Sequence, residues 1–442
     1  MIYILVVSAG FMGCEYQLMP TPNIYAAGHY DLVEADYGAE HRSSTIELLY
    51  VTDRKRLDTP DGSVKYGWKR SWSVAFGTCE VEIGHGLDWS TLAENTTRRK
   101  REVALPENIR SITEFGRRPP TPIPLVKQDG VLIPDATTIA IGDAAAASFV
   151  EHVRVRLGHS SRNEVVIYVH GYKTTFEEAA IVLAGLHHFS RDIVPLLYTW
   201  PAGAPGLIQG YPRDRESGEF TVLHLKRLTR QLAAMPEIEK IHFVAHSRGT
   251  DVVVTALREL LIEERGSGRL AEETYKVANL VLVAPDLDVD VLSQRIVGER
   301  MYDAADYITI YVSRADQAIG VAEWFTRSTR RVGRIQPDEI GEPLRKRMEQ
   351  IHDVAIIDVR LKSDAHGHSY YHRIPAVSSD LLLLLRYGAL AGSPRRPLTP
   401  VFPGYWILDD PAYPVGVSEH ARRDSNPQPS VPKTGLHKPK CP

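Results

Sequence analysis

Ser247 stands in the run Ile241-His-Phe-Val-Ala-His-Ser-Arg-Gly-Thr250. The first five residues form an apolar, strand-like stretch. Beyond the serine, Val253, Ala256, Leu257, Leu260 and Leu261 recur at i, i+3, i+4, i+7 and i+8, one apolar face of a helix. A serine between a strand and a helix sits on a sharp turn whose two backbone arms approach closely. Small residues two positions to either side permit that approach, and here they are Ala245 and Gly249. The turn exposes the hydroxyl at the carboxyl end of the sheet, and the helix N-terminus behind it favours developing negative charge. These are the conditions for a nucleophilic serine. The alternative is a buried serine beside a helix cap.

A serine hydroxyl is a weak nucleophile until a base accepts its proton. Two late strands end beside residues of the right type. Ile308 to Val312 is followed by Ser313-Arg-Ala-Asp316, and Val354 to Val359 by a segment containing Asp364-Ala-His366-Gly-His368-Ser-Tyr-Tyr371. His368 serves as base in this reading, and Asp316 fixes its tautomer and stabilises the imidazolium. An imidazole suits the task because its ordinary pKa, about 6.5, lies near operating pH. Asp286 and Asp288, in Ala284-Pro-Asp-Leu-Asp288, compete for the acid role; His366, His372 and His246 compete for the base role. The His366, His368 and His372 cluster also admits a metal site, although no His-Glu-x-x-His pattern accompanies it. The serine chemistry calls for no metal and no cofactor.

The elements that must position these groups follow from the patterning. Val165–Val169, Val194–Thr199, Ile241–Ala245, Leu280–Ala284, Ile308–Val312 and Val354–Val359 are continuous apolar runs, as expected of strands buried on both faces. Helical stretches lie between them, including one opened by Thr174-x-x-Glu177 and one over residues 221–234. Strands alternating with helices predict an α/β fold with a mostly parallel central sheet flanked by helices, over residues 160–388. Ile46–Thr52 and Phe76–Ile83 read as strands of a β-containing N-terminal extension, residues 20–159, that enlarges the sheet. Residues 18–23 read as a Pro-punctuated linker, and Trp200 to Ser217 as a long Gly/Pro loop leaving the active-site end. That loop offers Trp200, Tyr211 and the charges from Arg213 to Glu216 to a substrate pocket, with an ordinary surface loop as the alternative. Residues 389–442, rich in Pro, Gly and Arg, read as a disordered tail.

Several of these segments together resemble a known group. His170-Gly-Tyr-Lys-Thr-Thr-Phe-Glu-Glu-Ala179, Trp200-Pro, Tyr211-Pro-Arg-Asp-Arg-Glu-Ser217, Val244-Ala-His-Ser-Arg-Gly249, Ala284-Pro-Asp-Leu-Asp288 and Gly367-His-Ser-Tyr370 occur in order. The set resembles the α/β hydrolases, in particular a bacterial, largely uncharacterised esterase/lipase-superfamily branch whose members often start with a lipoprotein-like segment and Met-Pro-Thr-Pro-Asn, as at Met19 to Asn23. The usual Gly-x-Ser-x-Gly elbow has Ala245 at its first position here. The resemblance implies the α/β-hydrolase fold and the triad order Ser, Asp, His. It also implies an oxyanion hole built from the backbone N–H of Tyr172 (or Lys173) and of Arg248. His170 joins the pocket candidates on the same ground, with a structural role as its alternative.

The ends of the chain and its composition bound the remaining functions. Ile2 to Gly13 is apolar and precedes Cys14, which resembles the end of a bacterial lipobox. Residues 1–19 therefore read as a signal or lipid-anchor segment, with an extracytoplasmic lipoprotein as the expected address. No Lys or Arg precedes the apolar run, Phe11 replaces the usual Leu, and a buried first strand with a cytoplasmic protein is the alternative. The 442 residues are 43% hydrophobic and 24% charged with net charge −3, so no global basic field holds nucleic acid. Three cysteines supply neither a disulfide framework nor a cysteine-based zinc site. The expectation is a serine hydrolase acting on a small-molecule or lipid carboxylic ester. The competing reading is a non-catalytic lipoprotein that retains the fold as a binding or scaffold module.

Overall fold

In the computed structural model, residues 16–28, 30–32, 42–320, 330–362 and 367–414 are described. Fourteen strands occur among the described residues: β1 (Tyr16–Gln17), β2 (Thr45–Arg56), β3 (Tyr66–Ile83), β4 (Pro106–Arg117), β5 (Leu125–Gln128), β6 (Val131–Pro134), β7 (Glu164–Val169), β8 (Val194–Thr199), β9 (Lys240–His246), β10 (Val277–Val283), β11 (Tyr307–Val312), β12 (Val354–Val359), β13 (Thr399–Phe402) and β14 (Tyr405–Leu408). Twelve of them form one sheet in the order β1-β4-β3-β2-β8-β7-β9-β10-β11-β12-β14-β13, and β5 and β6 make a separate hairpin. From β2 through β14 neighbouring strands run parallel; β1, β4 and β3 on one side and β13 on the other are antiparallel. This is the mostly parallel, helix-flanked sheet expected from the alternating pattern, and the N-terminal strands extend it.

Strands β7 to β12 are buried along their whole length or nearly so, because helices cover both faces. One face packs on the helices Ala136–Gly158, Leu207–Ala233 and Gly249–Gly266, where Val253, Ala256, Leu257, Leu260 and Leu261 are all buried. The other packs on Phe176–Ser190 and Pro375–Leu385. The Phe176 helix opens on a full capping box, Thr175 with Glu178, one residue later than the Thr174-x-x-Glu177 spacing predicts.

Three expectations need correction. The 18–23 segment is not a free linker. Leu18, Met19, Thr21 and Asn23 are buried, and Asn23 Nδ2 donates to the carbonyls of Pro411 and Tyr413 at 2.9 and 2.7 Å. The loop after β8 is short: residues 207–233 are one helix, which carries Pro212 inside it. The C-terminal region predicted as a disordered tail from residue 389 contains β13 and β14, and β14 pairs in parallel with β12. A buried polar knot holds it. Arg396 Nε and Nη2 donate to the two oxygens of Asp380 at 2.8 and 2.7 Å, and the Tyr311 and Tyr413 hydroxyls donate to the same carboxylate at 2.6 Å each. Ion pairing and four hydrogen bonds compensate the desolvation of both charges. The signal or lipid-anchor segment through residue 15, with Cys14, lies outside the described residues, as do residues 415–442. No helix among the described residues is long and apolar enough to cross a membrane.

Candidate active site

Parallel strands deliver the residues that follow them to one edge of the sheet. Here β7, β9, β10, β11 and β12 deliver His170-Gly171, Ser247, Ala284, Asp316 and His368 to the same carboxyl edge. Ser247 follows β9, with β7 on one side and β10 on the other. Its φ is +52°, the left-handed region that L-residues enter at a cost of roughly 1–2 kcal/mol. The turn is pinned against that strain. Ser247 N–H donates to Val283 O at 2.9 Å, and Ser247 O accepts from Thr250 N–H and Oγ1 at 3.1 and 2.6 Å.

Two glycines permit the close approach the turn requires. A Cβ on Gly249 would lie 2.4 Å from His170 O and 2.6 Å from Val169 O. A Cβ on Gly171 would lie 2.8 Å from the Ser247 Cβ. The loop after β7 therefore rests directly on the serine turn.

His368 Nδ1 lies 2.7 Å from Asp316 Oδ2, and this is an ion-pair distance as well as a hydrogen bond. The carboxylate accepts, so Nδ1 carries the proton and Nε2 is left as the basic nitrogen. Asp316 is fully buried, and its other oxygen accepts from Ile319 N–H at 3.0 Å. The competing residues are placed otherwise. Asp286 is buried and accepts from Tyr211 OH at 2.8 Å, with Arg331 Nε at 3.5 Å and Arg248 Nη1 at 4.0 Å. Asp288 caps the short Val289–Ser293 helix. His246 donates from Nε2 to His368 O at 3.2 Å and packs its ring 4.6 Å from that of His368. Burial holds the His246 pKa well below the usual imidazole range, so it is a neutral support for His368. His372 packs against Tyr371, and His366 lies outside the described residues.

The backbone N–H groups of Tyr172 and Arg248 donate to no protein acceptor among the described residues. The Lys173 N–H is committed: it donates to Asp214 Oδ2 at 3.1 Å. That leaves Tyr172 as the loop's free amide of the two. The Arg248 guanidinium is held by Asp251 at 2.8 Å and by the Asp286 carbonyl at 3.3 Å. Tyr211, a predicted pocket residue, packs edge-on against Tyr172 with ring centroids 5.5 Å apart.

His170 and Trp200 are fully buried and stacked at 5.3 Å, so they brace the loop from beneath rather than form an accessible pocket wall. His170 Nδ1 donates to Gly171 O at 3.0 Å, while Nε2 accepts from Trp200 N–H at 3.2 Å. Burial and the Arg54 charge keep this imidazole neutral. Sequence reasoning missed Tyr370, which bridges two strands by accepting from Ala284 N–H and donating to Tyr311 O. It also missed Arg54 and Thr199 beneath the loop. Asp214 carried a faint signal in the charged run after Tyr211. Among the described residues no group of three or more His, Cys, Asp or Glu side chains is placed to hold a metal ion.

A family model described as an alpha/beta hydrolase of unknown function (DUF900) matches residues 145–386. No curated protein matches. Among solved structures, phospholipase PlaB from Legionella pneumophila is similar at 12% identity and a TM-score of 0.19, over 47% of this chain and 42% of that one. The chain thus spans less than half the length of that structure.

Proposed function

The chain belongs to the alpha/beta-hydrolase family of unknown function just described, and from that premise we propose that it is a serine hydrolase cleaving carboxylic esters through an acyl-enzyme on Ser247. The observation that carries this reading is the Asp316–His368 pair at 2.7 Å, delivered by adjacent strands to the edge where Ser247 sits in a left-handed turn. Nothing in a purely structural role calls for a strained serine, a buried carboxylate on an imidazole and two undonated amides at one edge.

In this mechanism His368 Nε2 accepts the Ser247 proton as Oγ attacks the ester carbonyl carbon. The carbonyl oxygen becomes an oxyanion, which the Tyr172 and Arg248 N–H groups bind. Collapse of the tetrahedral intermediate breaks the bond to the alcohol oxygen, which leaves with the proton from His368. Water then repeats the sequence on the acyl-enzyme, returning the acid and the free serine. Asp316 stabilises the imidazolium in both halves. Attachment to a membrane through a lipidated Cys14, with an extracytoplasmic address, completes the reading. Metabolic labelling with an alkynyl fatty acid that disappears in Cys14→Ala tests that part.

The catalytic part is tested by hydrolysis of short-chain p-nitrophenyl esters. Ser247→Ala should abolish it, and a variant as active as the wild type would refute the mechanism.

A further inference from the structure

Arg54 lies on β2, in the N-terminal extension and outside the 145–386 segment that matches the family. It is 1% exposed, among the largest fully buried side chains of the protein. A guanidinium has five N–H bonds, and each of these has an acceptor here. Nε donates to Thr199 Oγ1 at 2.7 Å. Nη1 donates to Gly67 O at 3.3 Å and Ala202 O at 2.9 Å. Nη2 donates to Thr174 O at 2.6 Å and His170 Nε2 at 3.2 Å. Four of the five acceptors belong to two segments of the hydrolase core, residues 170–174 after β7 and residues 199–202, from the last residue of β8 into the loop beyond it.

The first of those segments is the loop that carries Gly171 against Ser247 and the undonated Tyr172 amide. Arg54 grips it at both ends, at His170 and at Thr174. Asp214 grips it again, accepting the Lys173 N–H, and ties it to the second loop through Gly203 and Ala204 N–H at 2.9 and 3.1 Å. Burial brings the Arg54 pKa down to about 10, which still leaves the group charged at neutral pH. A buried cation and the planar, fixed fork of its donors are a costly way to join loops that carbonyl-to-amide bonds alone can hold. The arrangement is accounted for if the loop position matters to within tenths of an ångström, as it does for an oxyanion donor.

We infer that Arg54 is a positioning residue that fixes the Tyr172 amide relative to Ser247, so that the N-terminal extension is part of the catalytic machinery. The inference rests on the proposed acyl-enzyme mechanism. It acts on the transition state and not on ground-state binding, so its loss lowers kcat and leaves KM in place.

The test compares full-length wild type, Arg54→Lys, Thr199→Val and a packing control on the same strand, Val51→Ala. Lysine keeps the charge and loses the fork. Thr199→Val removes one acceptor at nearly constant shape and serves if Arg54→Lys does not fold. Rates of fluorophosphonate labelling at Ser247 are read together with kcat and KM on p-nitrophenyl acetate, on samples shown folded by circular dichroism. Arg54→Lys should label about 10- to 100-fold more slowly, below the full value of about 100- to 1,000-fold for loss of one oxyanion donor. Thr199→Val should fall in the same direction by about 3- to 10-fold, and Val51→Ala should label at the wild-type rate. Folded Arg54→Lys and Thr199→Val proteins that label within about 2-fold of wild type would overturn the inference alone. So would a rise in KM with kcat unchanged. A wild-type protein that takes no label at Ser247 would overturn the hydrolase reading itself and this inference with it.

Discussion

Gly171→Ala isolates the contact between the oxyanion loop and the nucleophile. The added Cβ would lie 2.8 Å from the Ser247 Cβ and 3.3 Å from both Nδ1 and O of His246. Carbon atoms rest at about 3.5–4.0 Å, so the loop and the serine turn must separate by roughly 0.7–1.2 Å. Neither side relaxes freely. The serine turn is held by Val283 O and Thr250, and the loop by Arg54 and Asp214. Overpacking of this kind costs about 1–3 kcal/mol of stability. The effect on rate is larger. A donor placed near 2.9 Å from the oxyanion and moved by that distance no longer makes a hydrogen bond. Loss of one such donor lowers kcat by about 100- to 1,000-fold, or about 2.7–4 kcal/mol of transition-state stabilisation. The assay is kcat on p-nitrophenyl acetate together with urea unfolding, so that fold and chemistry are read separately. A Gly171→Ala protein that is destabilised as expected but turns over within about 3-fold of wild type would refute the placement of the oxyanion hole.

Other perturbations follow from the same contacts. Asp316→Asn keeps the shape of the acid but lets the amide favour the wrong His368 tautomer; kcat should fall by about 10,000-fold, the size known for this change in serine proteases, with unfolding little affected. Asp53 is fully buried and burial raises its carboxyl pKa to about 7. Its stability contribution is therefore full below the unfolded pKa and is lost as pH rises towards 7. Asp53→Asn should be more stable than wild type above pH 7 by on the order of 4 kcal/mol, with the gap closing near pH 4, as read by urea unfolding against pH. Arg396→Leu leaves Asp380 charged and buried without its partner, and should cost about 3–5 kcal/mol in the same unfolding assay. An unchanged midpoint would mean that the C-terminal strands do not depend on that pair.

The central sheet was legible because strands buried on both faces are written as unbroken apolar runs. Val194–Thr199 and Val354–Val359 coincide with β8 and β12, and the other core strands differ by one to three residues at one or both ends. The catalytic candidates were legible for a related reason: Ser247, Asp316 and His368 each follow such a run, and parallel strands must bring their ends together. What was not legible depends on contacts distant in sequence. Gly206, Gly210 and Pro212 suggest a loop, yet the helix runs through the last two, starting at Leu207. β13 is short, mostly exposed and contains Pro400, so it carries no strand-like pattern of its own. Its region is ordered by Arg396 reaching Asp380, and no local composition reports that pair. Arg54 is the extreme case. A single arginine in a strand gives no signal, and its partners at His170 and Thr199 lie 116 and 145 residues away.

The most direct test of the central claim is to incubate the folded protein with a fluorophosphonate probe and map the adduct by mass spectrometry. The account predicts a single covalent adduct on Ser247, formed rapidly in the wild type, strongly slowed in Asp316→Asn and absent in Ser247→Ala. A folded wild-type protein that forms no adduct, or forms it on another residue, would contradict it.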